Sequence, residues 1–88
     1  MFTVYAIHNS DADKIYIGQT QNLEERLQMR NLHLIPKAYT ARYPGFWTLV
    51  YFEVHDSREK ALERERQLKS FRGREFVRKH IYSPVAQR

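Results

Sequence analysis

The chain has 88 residues, enough for one small domain with a modest core, so we expect no separate cofactor-binding domain. Fifteen Lys and Arg against ten Asp and Glu give a net charge of +5, which favours a polyanionic partner such as nucleic acid. Because the chain has no cysteine, disulfides and cysteine zinc sites are excluded, and we expect a cytoplasmic protein. The apolar opening MFTVYAI is too short for a signal peptide or a membrane span, so no membrane association is expected.

The first 20 residues predict a β-hairpin. Residues 2–8 carry apolar side chains on both faces, as a central strand does. Residues 9–13 are rich in turn formers, and residues 14–19 are typical of a second strand. In that strand Gly18 removes a side chain where the strand should continue, which indicates that another group lies close to the backbone there.

The first helix is predicted from its N-terminal end. Asn22 and Glu25 have the spacing of a capping box, and leucines return behind them at helical spacing. We expect a helix over residues 22–34, because Pro36 cannot continue it, and then a loop over residues 37–46.

The second half of the chain predicts a strand followed by helices. Residues 47–54 are β-branched and aromatic almost throughout, the strongest strand signal in the sequence. Asp56 or Ser57 is expected to cap a second helix over residues 57–71, which Gly73 would break before a short third helix.

The order of these elements, ββαβα(α), predicts a small α+β domain: a three-stranded antiparallel sheet flanked by helices. We assign residues 1–82 to this single domain and residues 83–88 to a flexible C-terminal tail.

A carboxylate interrupts the apolar face of the second helix. Glu65 falls between Ala61 and Leu68 on the face that should pack inward, where an uncompensated charge is costly. It is either a helix-edge residue paired with a neighbouring Arg or a ligand in a functional cleft. The other charges of the helix, Arg64 among them, are expected to be solvated.

The first helix shows the same anomaly with the opposite sign. Arg30 lies on its apolar stripe and Arg26 at the edge of that stripe. A guanidinium fork suits phosphate recognition, but long Arg stems also extend from packed faces into solvent. Tyr5 and Tyr16, on neighbouring strands, are likewise either core residues with a polar tip or catalytic groups.

These residues lie in motifs of a known family. The chain resembles the GIY-YIG endonucleases, in particular their small single-domain bacterial members, in TVYAI around Tyr5, YIG at residues 16–18, NLEERL with Arg26, KAYTARYP, LVYFE, and EKALERERQLK with Glu65. The similarity extends over about residues 2–72. It implies a GIY-YIG nuclease-like domain that hydrolyses nucleic-acid phosphodiesters with one divalent metal ion.

Position by position, the resemblance implies a working set of residues. Tyr5 would position or deprotonate the attacking water, and Tyr16 would donate a hydrogen bond to the site. Arg26 would stabilise the pentacovalent phosphate, and Glu65 would be the carboxylate ligand of Mg²⁺ or Mn²⁺. Gly18 would let the substrate and a helix lie close against the strand.

The chain departs from the family pattern at several positions. Residues 3–5 read Thr-Val-Tyr rather than Gly-Ile-Tyr, and Gln19 stands where some members have lysine. Where the family has His or Tyr there is Arg30, and a guanidinium cannot act as a base. Either Tyr5 acts alone, His33 carries the proton instead, or the protein binds without cutting efficiently.

The sequence therefore supports two functions. The first is a metal-dependent endonuclease that cuts DNA, directed by structure or by single strands, with RNA as a further substrate. The second is a non-catalytic nucleic-acid-binding domain that kept the fold. The basic residues expected to contact nucleic acid are Arg30, Lys37, Arg42, Lys69, Arg72 and Arg74.

Overall fold

The computed structural model describes residues 1–31, 43 and 45–82, and the elements below lie within them. They are β1 (Phe2–Asn9), β2 (Lys14–Thr20), α1 (Leu23–Asn31), β3 (Trp47–His55), α2 (Arg58–Lys69) and α3 (Phe71–Tyr82). The order ββαβαα confirms the predicted α+β fold. The expected helix end before Pro36, most of the predicted loop and the tail at residues 83–88 lie outside the described residues. In the described part of the chain, no helix is long and apolar enough to cross a membrane.

The three strands form one antiparallel sheet in the order β2-β1-β3. The central position of β1 agrees with its two apolar faces, and residues 4–9 are buried without interruption. The ladder between β1 and β3 shifts register between Ala6 and Ile7. A strand that is paired on both edges and covered on both faces is a rigid base on which side chains of a site can stand.

The core has two layers, one on each face of the sheet. Neighbouring residues of β1 enter different layers, because side chains alternate along a strand. Helices α2 and α3 cover one face with Ala61, Leu68 and Val77, which meet Val4, Ala6 and Ile17. Helix α1 covers the other face with Leu23 and Leu27, which meet Tyr5, Ile7 and Trp47.

Helices α1 and α2 begin at the predicted caps. The Glu25 backbone N–H donates to Asn22 Oδ1 at 3.1 Å, and the side-chain amide of Asn22 donates back to the Glu25 carboxylate at 3.2 Å. Of the two candidate caps of α2, Ser57 is the one used, since its hydroxyl accepts from the Lys60 N–H at 3.2 Å. Asp56 instead pairs with the Lys60 ammonium at 3.4 Å.

The prediction that Gly73 breaks the second helix is wrong. Helix α2 ends at Lys69, and Ser70 is extended, with its N–H donating to the Gln67 carbonyl. Gly73 lies inside α3, which is 12 residues long rather than short. A Cβ at Gly73 would lie 2.2 Å from the Gln67 carbonyl oxygen and 2.4 Å from Leu68 Cα. The glycine is therefore needed for the close turn of α3 onto α2.

Candidate active site

The two motif tyrosines meet at Gly18. Tyr5 of β1 is the register partner of Gly18 on β2. A Cβ at Gly18 would lie 2.9 Å from the Tyr5 phenol oxygen and 2.8 Å from Tyr16 Cε2. The two tyrosine rings lie with their centroids 6.2 Å apart and their planes tilted by 44°. The space left by the missing side chain is thus filled by the edges of both tyrosines.

The two tyrosines differ in burial. Tyr5 is fully buried and packs with Ile7 and Trp47, whereas Tyr16 is partly exposed at the edge of the same cluster. The ring of Tyr5 is therefore a core element of the α1 side of the sheet, as one of the two sequence interpretations expected. Tyr16 is the one of this pair that solvent reaches.

Arg26 lies at the wall of a cavity of about 480 Å³ between α1, the end of β2 and the start of α2. Its side chain is half-buried. Arg58, the first residue of α2, adds a second guanidinium, and Glu25 is the one carboxylate of the lining. The other lining residues are Phe2, Gln19, Thr20, Gln21, Asn22 and Met29. Two guanidiniums on one concave surface suit an anionic group such as phosphate.

Glu65 lies on the inward side of α2, as its spacing predicts. Its side chain is 19% exposed, and its neighbours on that face, Ala61 and Leu68, are buried. Its Oε2 accepts a hydrogen bond of 2.8 Å from the Lys69 ammonium, one turn further along the helix. The compensating cation is therefore Lys69 rather than an Arg. Because Lys69 is half exposed, this ion pair contributes little to stability.

Glu65 offers a single carboxylate to a divalent ion. Across residues 1–31, 43 and 45–82, no cluster of three or more His, Asp or Glu side chains could hold a metal. A partly buried carboxylate suits Mg²⁺ or Mn²⁺, which keep several of their water ligands. Glu65 could supply one ligand to such an ion, in competition with the ammonium of Lys69.

A basic groove of about 410 Å³ brings Tyr16 and Lys69 together. It is lined by Asp13, Lys14, Ile15, Tyr16, Ile17, Lys69, Arg74 and Arg78. Since Lys69 also bonds Glu65, the groove adjoins the candidate metal ligand. Two predicted phosphate contacts, Lys69 and Arg74, therefore line one surface. The sequence analysis did not predict Lys14 or Arg78 as contacts. For Arg78 a signal was present, because its four-residue spacing from Arg74 places these two arginines on one face of α3.

Of the other predicted contact residues, the structure describes the side chain of Arg72 alone. Arg72 is exposed on α3 and lines neither the Arg26 cavity nor the basic groove. Arg30 belongs to α1, one turn after Arg26, and its side chain lies outside the described residues. His33, Lys37 and Arg42 fall in the undescribed segment 32–42, so the identity of a proton carrier stays a prediction.

Arg64 is not solvated as expected, because it forms part of a cluster around Glu53. Its Nε donates to Glu53 Oε1 at 2.7 Å, and His55 Nε2 lies 2.8 Å from the same oxygen. The Tyr51 hydroxyl donates to Glu53 Oε2. Partial burial raises the pKa of Glu53, but these three hydrogen bonds outweigh it and hold the pKa below its ordinary value. The cluster fastens α2 to β3.

Comparison with known proteins agrees with this fold and these motifs. Residues 1–77 match the GIY-YIG catalytic domain family. A UPF0213 protein of Haloquadratum walsbyi is 37% identical over 68 residues, which cover 77% of this chain and 73% of that protein. No solved structure gives a significant match. The chain therefore belongs to the GIY-YIG family, a family of nucleases that act on nucleic acids and generally use divalent metal ions.

Proposed function

We propose that this protein is a divalent-metal-dependent endonuclease that hydrolyses DNA phosphodiester bonds. The observation that carries the proposal is the placement of Glu65. A partly buried carboxylate stands on the inward face of α2, and its ammonium partner, Lys69, lines the same groove as Tyr16. Because the chain belongs to a family of nucleases, the position of Glu65 next to the groove that holds Tyr16 supports an active site at the β2 edge of the sheet.

Each residue has a distinct part in this proposal. Glu65 would hold Mg²⁺ or Mn²⁺, and the bound ion would lower the pKa of a water ligand and neutralise phosphate charge. Arg26, half-buried in its cavity, would oppose the charge that grows on the phosphate in the transition state. Tyr16 would donate a hydrogen bond from the groove side. Tyr5 is fully buried, so it would hold Tyr16 in place at Gly18, and its predicted contact with the attacking water would require its phenol oxygen to become exposed.

A second candidate function is a nucleic-acid-binding domain that does not cut. Arg30 favours it, because it stands at a position where the family has His or Tyr. Its guanidinium cannot accept a proton. The bond between Glu65 and Lys69 also favours it, since this pair would satisfy the carboxylate without any metal.

Substitution of Glu65 separates the two functions. Glu65→Gln keeps the size of the side chain and removes the negative charge that a metal ligand needs. We expect the variant to fold and to bind DNA, but to lose Mg²⁺- or Mn²⁺-dependent cleavage of plasmid and oligonucleotide substrates. The matched control is Glu63→Gln, an exposed position on the same helix, which should cut like the wild type.

Thermal unfolding gives a second measurement that does not depend on cleavage. An ion that binds the folded state raises the melting temperature by mass action. Metal should therefore stabilise the wild type and Glu63→Gln, and leave Glu65→Gln unchanged. A wild-type protein that gains no stability from Mg²⁺ or Mn²⁺ and cuts no form of DNA or RNA would exclude the nuclease and leave the non-catalytic binder.

A further inference from the structure

The basic groove concentrates positive charge at one edge of the sheet. Its lining includes Lys14 at the start of β2, Lys69 at the end of α2, and Arg74 and Arg78 on α3. The one carboxylate of the lining is Asp13. Four cations on one concave surface repel one another, and this repulsion lowers the stability of the folded domain. An anionic ligand in the groove would relieve it.

Asp13 does not neutralise the groove as a whole, because its charge is already engaged. Its Oδ1 lies 3.0 Å from His8 Nε2 and 3.2 Å from an Arg78 guanidinium nitrogen. The hydrogen bond to His8, followed by the contacts with Arg78, holds the pKa of Asp13 below its ordinary value. Arg78 uses one nitrogen for this contact, and a guanidinium has five N–H donors in all. Asp13 therefore orients Arg78 and leaves donors for a ligand.

The other three cations are available in different degrees. Lys69 is shared with Glu65, and the Lys14 ammonium lies 5.5 Å from the centroid of the Tyr43 ring. Arg74 is exposed, and its side chain has no ion pair or hydrogen bond with the rest of the described chain. Arg74 and Arg78 stand four residues apart on α3, a spacing at which like charges destabilise a helix. Their juxtaposition is better explained by binding than by folding.

The groove and the Arg26 cavity occupy neighbouring stretches of β2. The groove is lined by residues 13–17, and the cavity by residues 19–22, so Gly18 lies between them. A strand rises about 3.3 Å per residue, so the four steps from Ile15 to Gln19 span roughly 13 Å. A polyanion that follows β2 can therefore reach both surfaces at once.

We propose that the α3 side of the basic groove, formed by Arg74 and Arg78, binds the phosphodiester backbone of the substrate strand, at phosphates away from the one that is cut. The strand would follow β2 from the Arg26 cavity, across Gly18, to Arg74 and Arg78. This assignment rests on the proposed function in placing the reacting phosphate near Arg26. Binding in the groove itself needs neither metal nor cleavage, which makes it separately testable.

The test measures binding of a fluorescently labelled single-stranded DNA oligonucleotide, and of the corresponding duplex, in EDTA. The groove variant is Arg74→Gln with Arg78→Gln. The control is Arg66→Gln with Lys79→Gln, which makes the same charge change at exposed positions of α2 and α3 outside the groove. We expect the groove variant to lose at least tenfold in affinity, and the control less than threefold. Arg74→Gln alone should show part of the loss, and it leaves the contact between Asp13 and Arg78 intact.

The salt dependence adds a second reading. Each lost phosphate contact reduces the magnitude of the slope of log K against log salt by about 0.7 for single strands. The slope of the groove variant should therefore be smaller than that of the wild type by about 1.4. Equal losses of affinity and slope in the groove and control variants would overturn the proposal, because binding would then depend on net charge alone. A wild type that binds neither oligonucleotide would overturn it as well.

Cleavage kinetics distinguish this proposal from the nuclease assignment. With metal present, the groove variant should raise KM for oligonucleotides and leave kcat unchanged, since Arg74 and Arg78 stand on α3, away from the Arg26 cavity. A fall in kcat at unchanged KM would overturn the proposal by placing these arginines at the reaction itself. If the wild type does not cut but its binding still depends on Arg74 and Arg78, the nuclease fails and the groove stands.

Discussion

The guanidinium of Arg64 donates a hydrogen bond of 2.7 Å to Glu53 and so joins α2 to β3, one residue before the candidate metal ligand Glu65. Glu53 also accepts from Tyr51 and interacts with His55. One turn to either side of Arg64, the buried side chains of Ala61 and Leu68 also hold α2 against the sheet. The helix that carries Glu65 is therefore held to the sheet by both packing and hydrogen bonds.

Glu53→Gln should destabilise the fold. The substitution keeps the shape of the side chain but removes the charge to which Arg64 bonds. Hydrogen bonds to charged groups contribute about 1.5–3 kcal/mol, and since both side chains are partly exposed we expect a loss of roughly 1 kcal/mol. For a domain of this size that lowers the melting temperature by about 4–8 °C. Asp56→Asn, which breaks an exposed pair with Lys60, is the control and should change it little. Equal melting temperatures for wild type and Glu53→Gln would show that the cluster contributes nothing.

Stability should also fall in acid through Glu53. Burial raises its pKa, but the hydrogen bonds from its three partners lower the pKa by more than burial raises it. The folded-state pKa therefore lies below the ordinary value of about 4.3. The stabilisation is fully present above the unfolded-state pKa and is lost as pH falls through the folded-state pKa. The unfolding free energy, measured with denaturant at several values from pH 6 to pH 3, should fall less steeply with decreasing pH for Glu53→Gln than for the wild type. Asp13, whose pKa is lowered by His8 and Arg78, leaves part of the slope in both proteins. Parallel curves would contradict the prediction.

Gly18→Ala should affect the site more than the fold. Its Cβ would press on the Tyr5 phenol oxygen at 2.9 Å and on Tyr16 Cε2 at 2.8 Å, both outer atoms of side chains. We expect a loss of about 1–3 kcal/mol in unfolding free energy, displaced tyrosines and slower cleavage, with DNA affinity retained. Thermal melts, binding and cleavage assays together check this.

The contrasting variant is Gly73→Ala, whose Cβ would meet backbone atoms at 2.2 and 2.4 Å. Backbone atoms cannot move aside as the end of a side chain can. Gly73→Ala should therefore destabilise the fold more than Gly18→Ala does. If Gly18→Ala cuts at the wild-type rate, the space at Gly18 has no part in catalysis.

Arg30→His tests the missing proton carrier. In the resemblance this position holds His or Tyr, and an imidazole titrates near pH 6.5 whereas a guanidinium stays charged. The variant should cleave faster than the wild type or acquire a pH dependence centred near 6.5. Arg30→Gln, which removes the charge without adding a base, is the control. Identical pH–rate profiles for wild type and Arg30→His would mean that this position takes no part in proton transfer.

The sequence by itself determined the central strand, the helix caps and the inward face of α2, all of which depend on short-range spacing. Alternation of Val4 and Tyr5 between two apolar faces predicted the central strand, because a strand has a period of two. The Asn22 cap was predicted because its bonds reach only three residues along the chain. The helical period likewise placed Glu65 on the inward face of α2, where the structure has it.

Only the tertiary structure decided which partners meet when two polar groups belong to different elements. Arg64 was predicted to be solvated because its partner, Glu53, lies 11 residues away on another element. Gly73 was taken for a helix breaker because the backbone that it must admit belongs to the last turn of α2, which packs against α3. The basic groove went unseen for the same reason: Arg78 meets Asp13 across 65 residues of sequence. Periodicity reports which side of an element faces inward, and packing alone decides what stands opposite.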